Sequence, residues 1–233
     1  RIGEFFRLFE TAAAKLPGSW PRFRGARSSN ISREDTALAD AWPAGGPEIL
    51  WTVELGEGHA APAVLNGRVY LIDYDERQNA DALRCFSLAD GKELWRRWYE
   101  VQVKRNHGMS RTVPAVTEEH ILTIGPRSHV MCLRRSSGDF LWGLNVEKDY
   151  GAQIPLWYTG QCPLIHDGKA IIATAGSSLM VALDMESGEV LWETPNEKGW
   201  LMSHSSIMPY EFGGQLMYVY SAFGGVFGVA AEG

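Results

Sequence analysis

The sequence predicts an all-β protein, an incomplete β-propeller of four-stranded antiparallel blades preceded by a short helix. Three observations carry that prediction. One hexapeptide pattern recurs: "DGKELW" at Asp90–Trp95, "SGDFLW" at Ser137–Trp142 and "SGEVLW" at Ser187–Trp192. Trp51, Trp95, Trp142 and Trp192 stand 44, 47 and 50 residues apart, the period of a blade of four strands. Between these tryptophans lie paired β-runs such as "APAVLNGRVYLID" (Ala61–Asp73), joined by Asn66-Gly67. Asn-Gly is a strong hairpin signal because a type I′ turn needs positive φ at both central residues.

Composition agrees. The chain has 233 residues, 45% hydrophobic and 21% charged, enough to bury a sizeable core. With Gly 25, Pro 11 and Trp 9 it is rich in turns and aromatic anchors. A net charge of −6 without a basic run argues against nucleic acid or an anionic membrane surface as partner. No stretch approaches the ~20 apolar residues of a transmembrane span. Cys85, Cys132 and Cys162 form no CxxC pair, and the first two occupy matching repeat positions, as buried small hydrophobes would.

Taken in order, residues 1–18 ("RIGEFFRLFETAAAKLPG") combine Phe5, Phe6, Leu8 and Phe9 with an Ala run. They read as an amphipathic helix ended by Pro17-Gly18. Residues 19–46 read as an extended arm, and 47–233 as the partial propeller. Its units run at about 47–55, 59–98, 111–146, 160–194 and 204–233. Each full unit holds a hairpin, a third strand ("LRCFSL", "VMCLRR", "LMVALD", "VFGVAA"), a Gly turn and a fourth strand bearing the Trp. Gly91, Gly138 and Gly188 permit the tight turn, while Trp95, Trp142 and Trp192 supply flat surfaces that pack blade to blade. Asp167-Gly168 and Gly213-Gly214 repeat the hairpin turn, and Ile207 stands where Pro62, Pro114 and Pro163 stand in the other units. "PEILWTVEL" (Pro47–Leu55) is a fourth strand without its first three, and the last unit stops at its Gly turn. The expectation is about half of a ring, with the missing C-terminal half as its first partner. The chain opens on Arg1 rather than Met, so an upstream segment is also expected.

"ALDMESGEVLW" (Ala182–Trp192) resembles the repeat of the pyrroloquinoline-quinone (PQQ)-type β-propellers, as do "WPRFRG" (Trp20–Gly25) and "GHAAPAVLNGRVY". The resemblance covers residues 20–233 and points to the N-terminal half of a secreted bacterial member. It implies two kinds of function. One is a periplasmic or otherwise extracytoplasmic binding or scaffold propeller working with envelope proteins. The other is a quinoprotein dehydrogenase that holds PQQ and calcium, oxidises alcohols or sugars through a catalytic Asp, and passes electrons to a cytochrome c. The adjacent Cys pair of several such dehydrogenases is lacking, and no catalytic residue can be assigned by motif.

In a propeller the first strand of each blade lines the channel, so the residues just before it are the binding candidates. They are His59, Arg111 with Thr112, Thr159 with Gln161, and His204 with Ser205. Such groups bind small anionic or polar ligands, or hold channel water. The loop "KRNHGMSR" adds Arg105 and His107 as a clamp for a carboxylate-bearing ligand such as a quinone, or as a solvated loop. Trp157 and Trp200 stand in comparable loops, to stack on a flat ligand or to pack between blades. Asp73, Asp75 and Glu76 with Asp81 read as an acidic hairpin tip, without the spacing of a calcium loop, and no metal site is assigned.

Overall fold

The computed structural model describes residues 1–104 and 109–233. Strands β1 (Phe5–Leu8) and β2 (Ser19–Trp20) precede the first blade, β3 (Ala63–Leu65), β4 (Arg68–Asp75), β5 (Ala80–Ser87) and β6 (Glu93–Glu100). The second blade comprises β7 (Ala115–Val116), β8 (His120–Ile124), β9 (His129–Arg134) and β10 (Phe140–Asn145), followed by helix α1 (Val146–Tyr150). The third has β11 (Leu164–His166), β12 (Lys169–Ala173), β13 (Ser178–Asp184) and β14 (Val190–Pro195). A last sheet holds three strands, β15 (Met208–Phe212), β16 (Gln215–Ala222) and β17 (Gly225–Ala230). Each blade is antiparallel and joins its strands in chain order; the first also carries β1 outside β6 and β2 beside β3. The result is an open arc of blades.

Turn chemistry sets the hairpins. Asn66 and Gly67 have φ of 48° and 75°, Asp167 and Gly168 have 49° and 69°, and Gly213 and Gly214 have 59° and 79°. These are the double positive values that a type I′ turn requires. The Gly turn before each fourth strand also repeats. The N–H of Gly91, Gly138 and Gly188 donates to the carbonyl of Ser87, Arg134 and Asp184, at 3.0, 2.8 and 2.9 Å. Asp184 adds side-chain acceptance from the N–H of Glu186 and Ser187, which Arg134 has no oxygen to provide.

The tryptophans join neighbouring blades as expected. A Cβ placed on Gly91 would fall 2.6 Å from the Trp51 ring, on Gly188 2.6 Å from Trp142, and on Gly233 2.8 Å from Trp192. On Gly138 it would meet Trp95 at 3.1 Å. Each Trp thus lies flat on the turn glycine of the next blade. Trp51 and Trp142 also donate through Nε1 to the carbonyls of Leu88 and Met185, both at 2.9 Å. In the second blade the matching carbonyl, Arg135, accepts from Arg68 Nη1 at 3.2 Å instead. Trp95 Nε1 is left buried with no hydrogen-bond partner among the described residues.

The core lies between the sheets. Tyr70, Leu83 and Cys85 of the first blade pack with Ile121, Met131 and Leu133 of the second. Leu122, Val130 and Cys132 of the second pack with Ile172, Val181 and Leu183 of the third. Ile171, Met180 and Ala182 of the third meet Tyr218 and Tyr220 of the last sheet. Burying each such side chain contributes about 1.5–3 kcal/mol, so each blade is stable through its neighbours. All three cysteines are buried and free, and burial pushes the Cys85 and Cys132 thiols up to about 12.

Two expectations need correcting. Residues 1–18 do not form the N-terminal helix; Phe5–Leu8 is a strand paired to β6, with Phe5 opposite Trp98 and Leu8 opposite Trp95. The apolar residues fit either period, and the open edge of β6 supplies hydrogen bonds and aromatic contacts that an isolated helix lacks. Phe5 stacks on Trp98 at 5.6 Å, and Phe6 lies 6.3 Å from Trp95. Asp81 likewise does not belong to an acidic tip. It is buried inside β5, while Asp73 pairs with Arg84 at 2.9 Å. The orphan segment 47–55 docks through Trp51 and has no strand partner among the described residues.

Candidate functional site

First strands of adjacent blades touch, β3 with β7 and β7 with β11, so they line the inside of the arc. Each has an entry end, where the chain arrives, and a hairpin end, where it turns into the second strand. The binding candidates all lie at the entry end.

Three of them hold strand ends, Thr112 and Gln161 within their own blade and Thr159 across to the second blade. Thr112 is buried and its hydroxyl donates to the Ile124 carbonyl at 2.6 Å. Gln161 is buried too. Its amide donates to the Ala173 carbonyl at 2.9 Å and its oxygen accepts from the Ala173 N–H at 2.8 Å. Thr159 is fully buried, sharing a 2.5 Å hydrogen bond with Ser128 Oγ and donating to the Pro126 carbonyl at 3.2 Å. These groups close the top of a first strand on its neighbour, the bonding that buried polar groups need.

The remaining candidates lie nearer the surface. His59 is exposed, with its N–H on the Ser110 carbonyl at 2.6 Å. Arg111 is half-buried, and burial pulls its guanidinium below the usual arginine value. His204 and Ser205 are half-buried; the Ser205 N–H donates to Ser203 Oγ at 3.1 Å. The His204 ring lies 6.3 Å from that of Trp157, which is 45% exposed, and Gly160 packs so tightly on His204 that a Cβ would fall 3.0 Å from the His204 Cβ. His204 and Trp157 thus form an aromatic ledge between the third and last sheets. Trp200 takes the packing role. It covers Gly224 and Gly225 and lies 5.9 Å from Phe227, with Lys198 5.0 Å above its ring. Arg105 and His107 lie outside the described residues.

The hairpin end is closed by the start of the arm, residues 19–23. Ser19 and Trp20 pair with Leu65 and Val64 of β3. The Pro21 carbonyl accepts from the Val116 N–H of β7 at 2.8 Å, and Arg22 Nη1 donates to the Ile165 carbonyl of β11 at 2.6 Å. Phe23 then lines a small pocket with Leu164, Ile207 and Met208. One short run crosses the hairpin ends of three first strands and reaches the last sheet. Its Trp-Pro-Arg-Phe order was visible, but not the carbonyls it meets.

A second feature also escaped sequence reading. Tyr99 Oη donates to Asp81 Oδ2 at 3.0 Å, and Asp81 Oδ1 is buried with no partner among the described residues. Burial raises the Asp81 carboxyl to about 7. Tyr99 in turn lies 5.4 Å from the His129 ring, which burial lowers to about 4. An Asp within the apolar run "ADALRCF" was the available signal.

A family model described as outer membrane protein assembly factor BamB matches residues 28–199 and 79–233. No match was found among curated protein sequences. Among solved structures, BamB from Moraxella catarrhalis superposes with a TM-score of 0.53 at 15% identity, covering 81% of this chain and 51% of that one. A quinohemoprotein alcohol dehydrogenase from Comamonas testosteroni gives 0.51 at 21% identity, covering 78% and 27%. The computationally designed Ika4 protein gives 0.50 at 11% identity, covering 79% and 98%. The chain spans about half the length of the BamB structure and about a quarter of the dehydrogenase.

Among the described residues, no three His, Cys, Asp or Glu side chains gather where they would hold a metal ion, and the cysteines are buried singly. The described residues thus offer neither a calcium site nor a cysteine pair to lie beside a quinone. No helix among the described residues is long and apolar enough to cross a membrane.

Proposed function

The chain belongs to the PQQ-type β-propeller family whose model describes the assembly factor BamB, and we propose that it is a non-enzymatic binding or scaffold propeller of the bacterial cell envelope. Its place is extracytoplasmic, and its partners are envelope proteins that contact the entry end. One observation carries this reading. Thr112 and Gln161 have their side-chain polar atoms engaged within their own blades, and Thr159 joins the third blade to the second, as buried scaffold groups do. Trp157 and His59 are exposed, and the His204 ring lies 6.3 Å from that of Trp157, a surface suited to a side chain or a small polar ligand. The likeness to BamB, an assembly factor by its family description, supports the same reading.

The test is a calorimetric titration with PQQ and calcium at micromolar concentration. No saturable binding is expected. One-to-one binding that weakens in Arg111→Ala would overturn the scaffold reading in favour of a quinone-dependent dehydrogenase with a cytochrome c partner.

A further inference from the structure

The connection between the second and third blades, both four-stranded, carries no charged residue from Gly151 to Ile165. Its tip is a β-turn, with the Tyr158 N–H on the Pro155 carbonyl at 2.9 Å and Leu156 and Trp157 at the two central positions. Leu156 is 78% exposed and Trp157 45%. The connection leading to the last sheet makes the same turn, with the Gly199 N–H on the Asn196 carbonyl at 3.2 Å. Its central residues are Glu197 and Lys198, both exposed, the chemistry of a solvated loop. Two equivalent turns thus present opposite surfaces, one charged and one apolar.

The backbone sharpens that contrast. The residue that closes the turn has φ of 61° at Gly199 and 64° at Tyr158. Glycine takes such a value freely, while a bulky side chain takes it only where its surroundings enforce it. Here they do. Tyr158 Oη donates to the Lys104 carbonyl at 2.7 Å. Thr159, the next residue, is buried, with its N–H on the Pro126 carbonyl at 3.0 Å and its hydroxyl sharing a 2.5 Å hydrogen bond with Ser128 Oγ. The His204 ring lies 6.3 Å from that of Trp157. The tip is held in one shape, so contact with it costs little ordering of this chain.

We propose that Leu156 and Trp157 anchor a protein-docking surface, which takes a peptide segment of an envelope protein where an apolar side chain stands beside a carboxylate. Tryptophan is among the residues that carry most of the binding energy at interfaces. The carboxylate answers Lys104, which is exposed and tied to the turn through Tyr158, while the turn's own connection brings no charge to oppose it. The net charge of −6 disfavours an anionic lipid surface as the occupant. This assignment rests on the scaffold reading and gives its partner a chemistry.

The test is selection of phage-displayed random peptides on the whole protein, followed by fluorescence anisotropy with the peptides recovered. Those peptides are expected to combine Leu, Phe or Trp with Asp or Glu. Leu156→Ser and Trp157→Ser should each weaken their binding about tenfold or more, with an unchanged circular-dichroism spectrum. Lys104→Glu should weaken it as well, whereas Lys198→Glu on the charged turn should not. No enrichment, peptides without a carboxylate, or binding indifferent to both turn substitutions would each overturn the proposal. Trp157-dependent binding to phosphatidylcholine–phosphatidylglycerol vesicles without peptide binding would overturn it too, in favour of a lipid contact. Saturable PQQ binding with peptide binding intact would remove the scaffold reading and leave the docking turn. Absence of both would remove the docking turn and leave the scaffold reading, so the two failures are distinguishable.

Discussion

Trp142 lies so close over Gly188 that a Cβ there would fall 2.6 Å from its Cγ, and Gly188 has φ of 74°. Both the space and the backbone therefore demand glycine. Gly188→Ala should destabilise the protein by about 2–4 kcal/mol, combining left-handed strain with overpacking. Gly168, with φ of 69° and nothing within 4 Å, isolates the strain alone, and Gly168→Ala should cost about 1 kcal/mol. Urea denaturation of the two variants measures the difference; equal losses would mean that the Trp-on-Gly contact contributes nothing.

Gln161 brackets Ala173 with both ends of its amide. Gln161→Leu leaves a buried N–H and a buried carbonyl without that partner and should cost about 2 kcal/mol or more. His59→Ala, at an exposed position, should leave the stability within the range of surface substitutions, about 0.5 kcal/mol. If His59→Ala proves the more destabilising, the division into holding and exposed residues fails.

Asp81 and His129 give opposite pH dependences. The Asp81 carboxyl is raised to about 7 in the folded chain, so folding binds its proton more tightly than the unfolded chain does. Its contribution is full below about pH 4 and is lost as pH rises to about 7. His129 is lowered to about 4, so its contribution is present above about 6.5 and is lost as pH falls to about 4. The two slopes offset each other in the unaltered protein. In Asp81→Asn only the histidine slope remains, and stability should rise between about pH 4 and 6.5 by up to a few kcal/mol. A denaturation series across that range reads it directly, and a variant curve parallel to the unaltered one would refute the assignment.

Arg22 reaches from the arm to the Ile165 carbonyl at 2.6 Å, and burial lowers its guanidinium from the usual value. Arg22→Met keeps the length of the chain and removes the charged hydrogen bond. The expected loss is about 1–2 kcal/mol, with faster exchange of the Val116 amide, which is held by the neighbouring Pro21. Unchanged Val116 exchange would show that the arm lies on the blades without clamping them.

The repeated Gly-to-Trp hexapeptide, the Asn-Gly and Asp-Gly turns and the tryptophan spacing determined the blades, because the period marks each unit and the turns need backbone angles that only certain residues reach. Tertiary structure alone decided the rest. Phe5–Leu8 suits helix and strand equally, and the open edge of β6 made the choice. Asp81 looked like part of an acidic turn until the register of β4 and β5 put it inside. Thr112 and Gln161 were candidates by their place before a first strand, and only the fold shows that their side chains donate to the carbonyls of Ile124 and Ala173. A sequence states which donors and acceptors a chain carries, while the partner of each is settled only when strands distant in the chain are brought side by side.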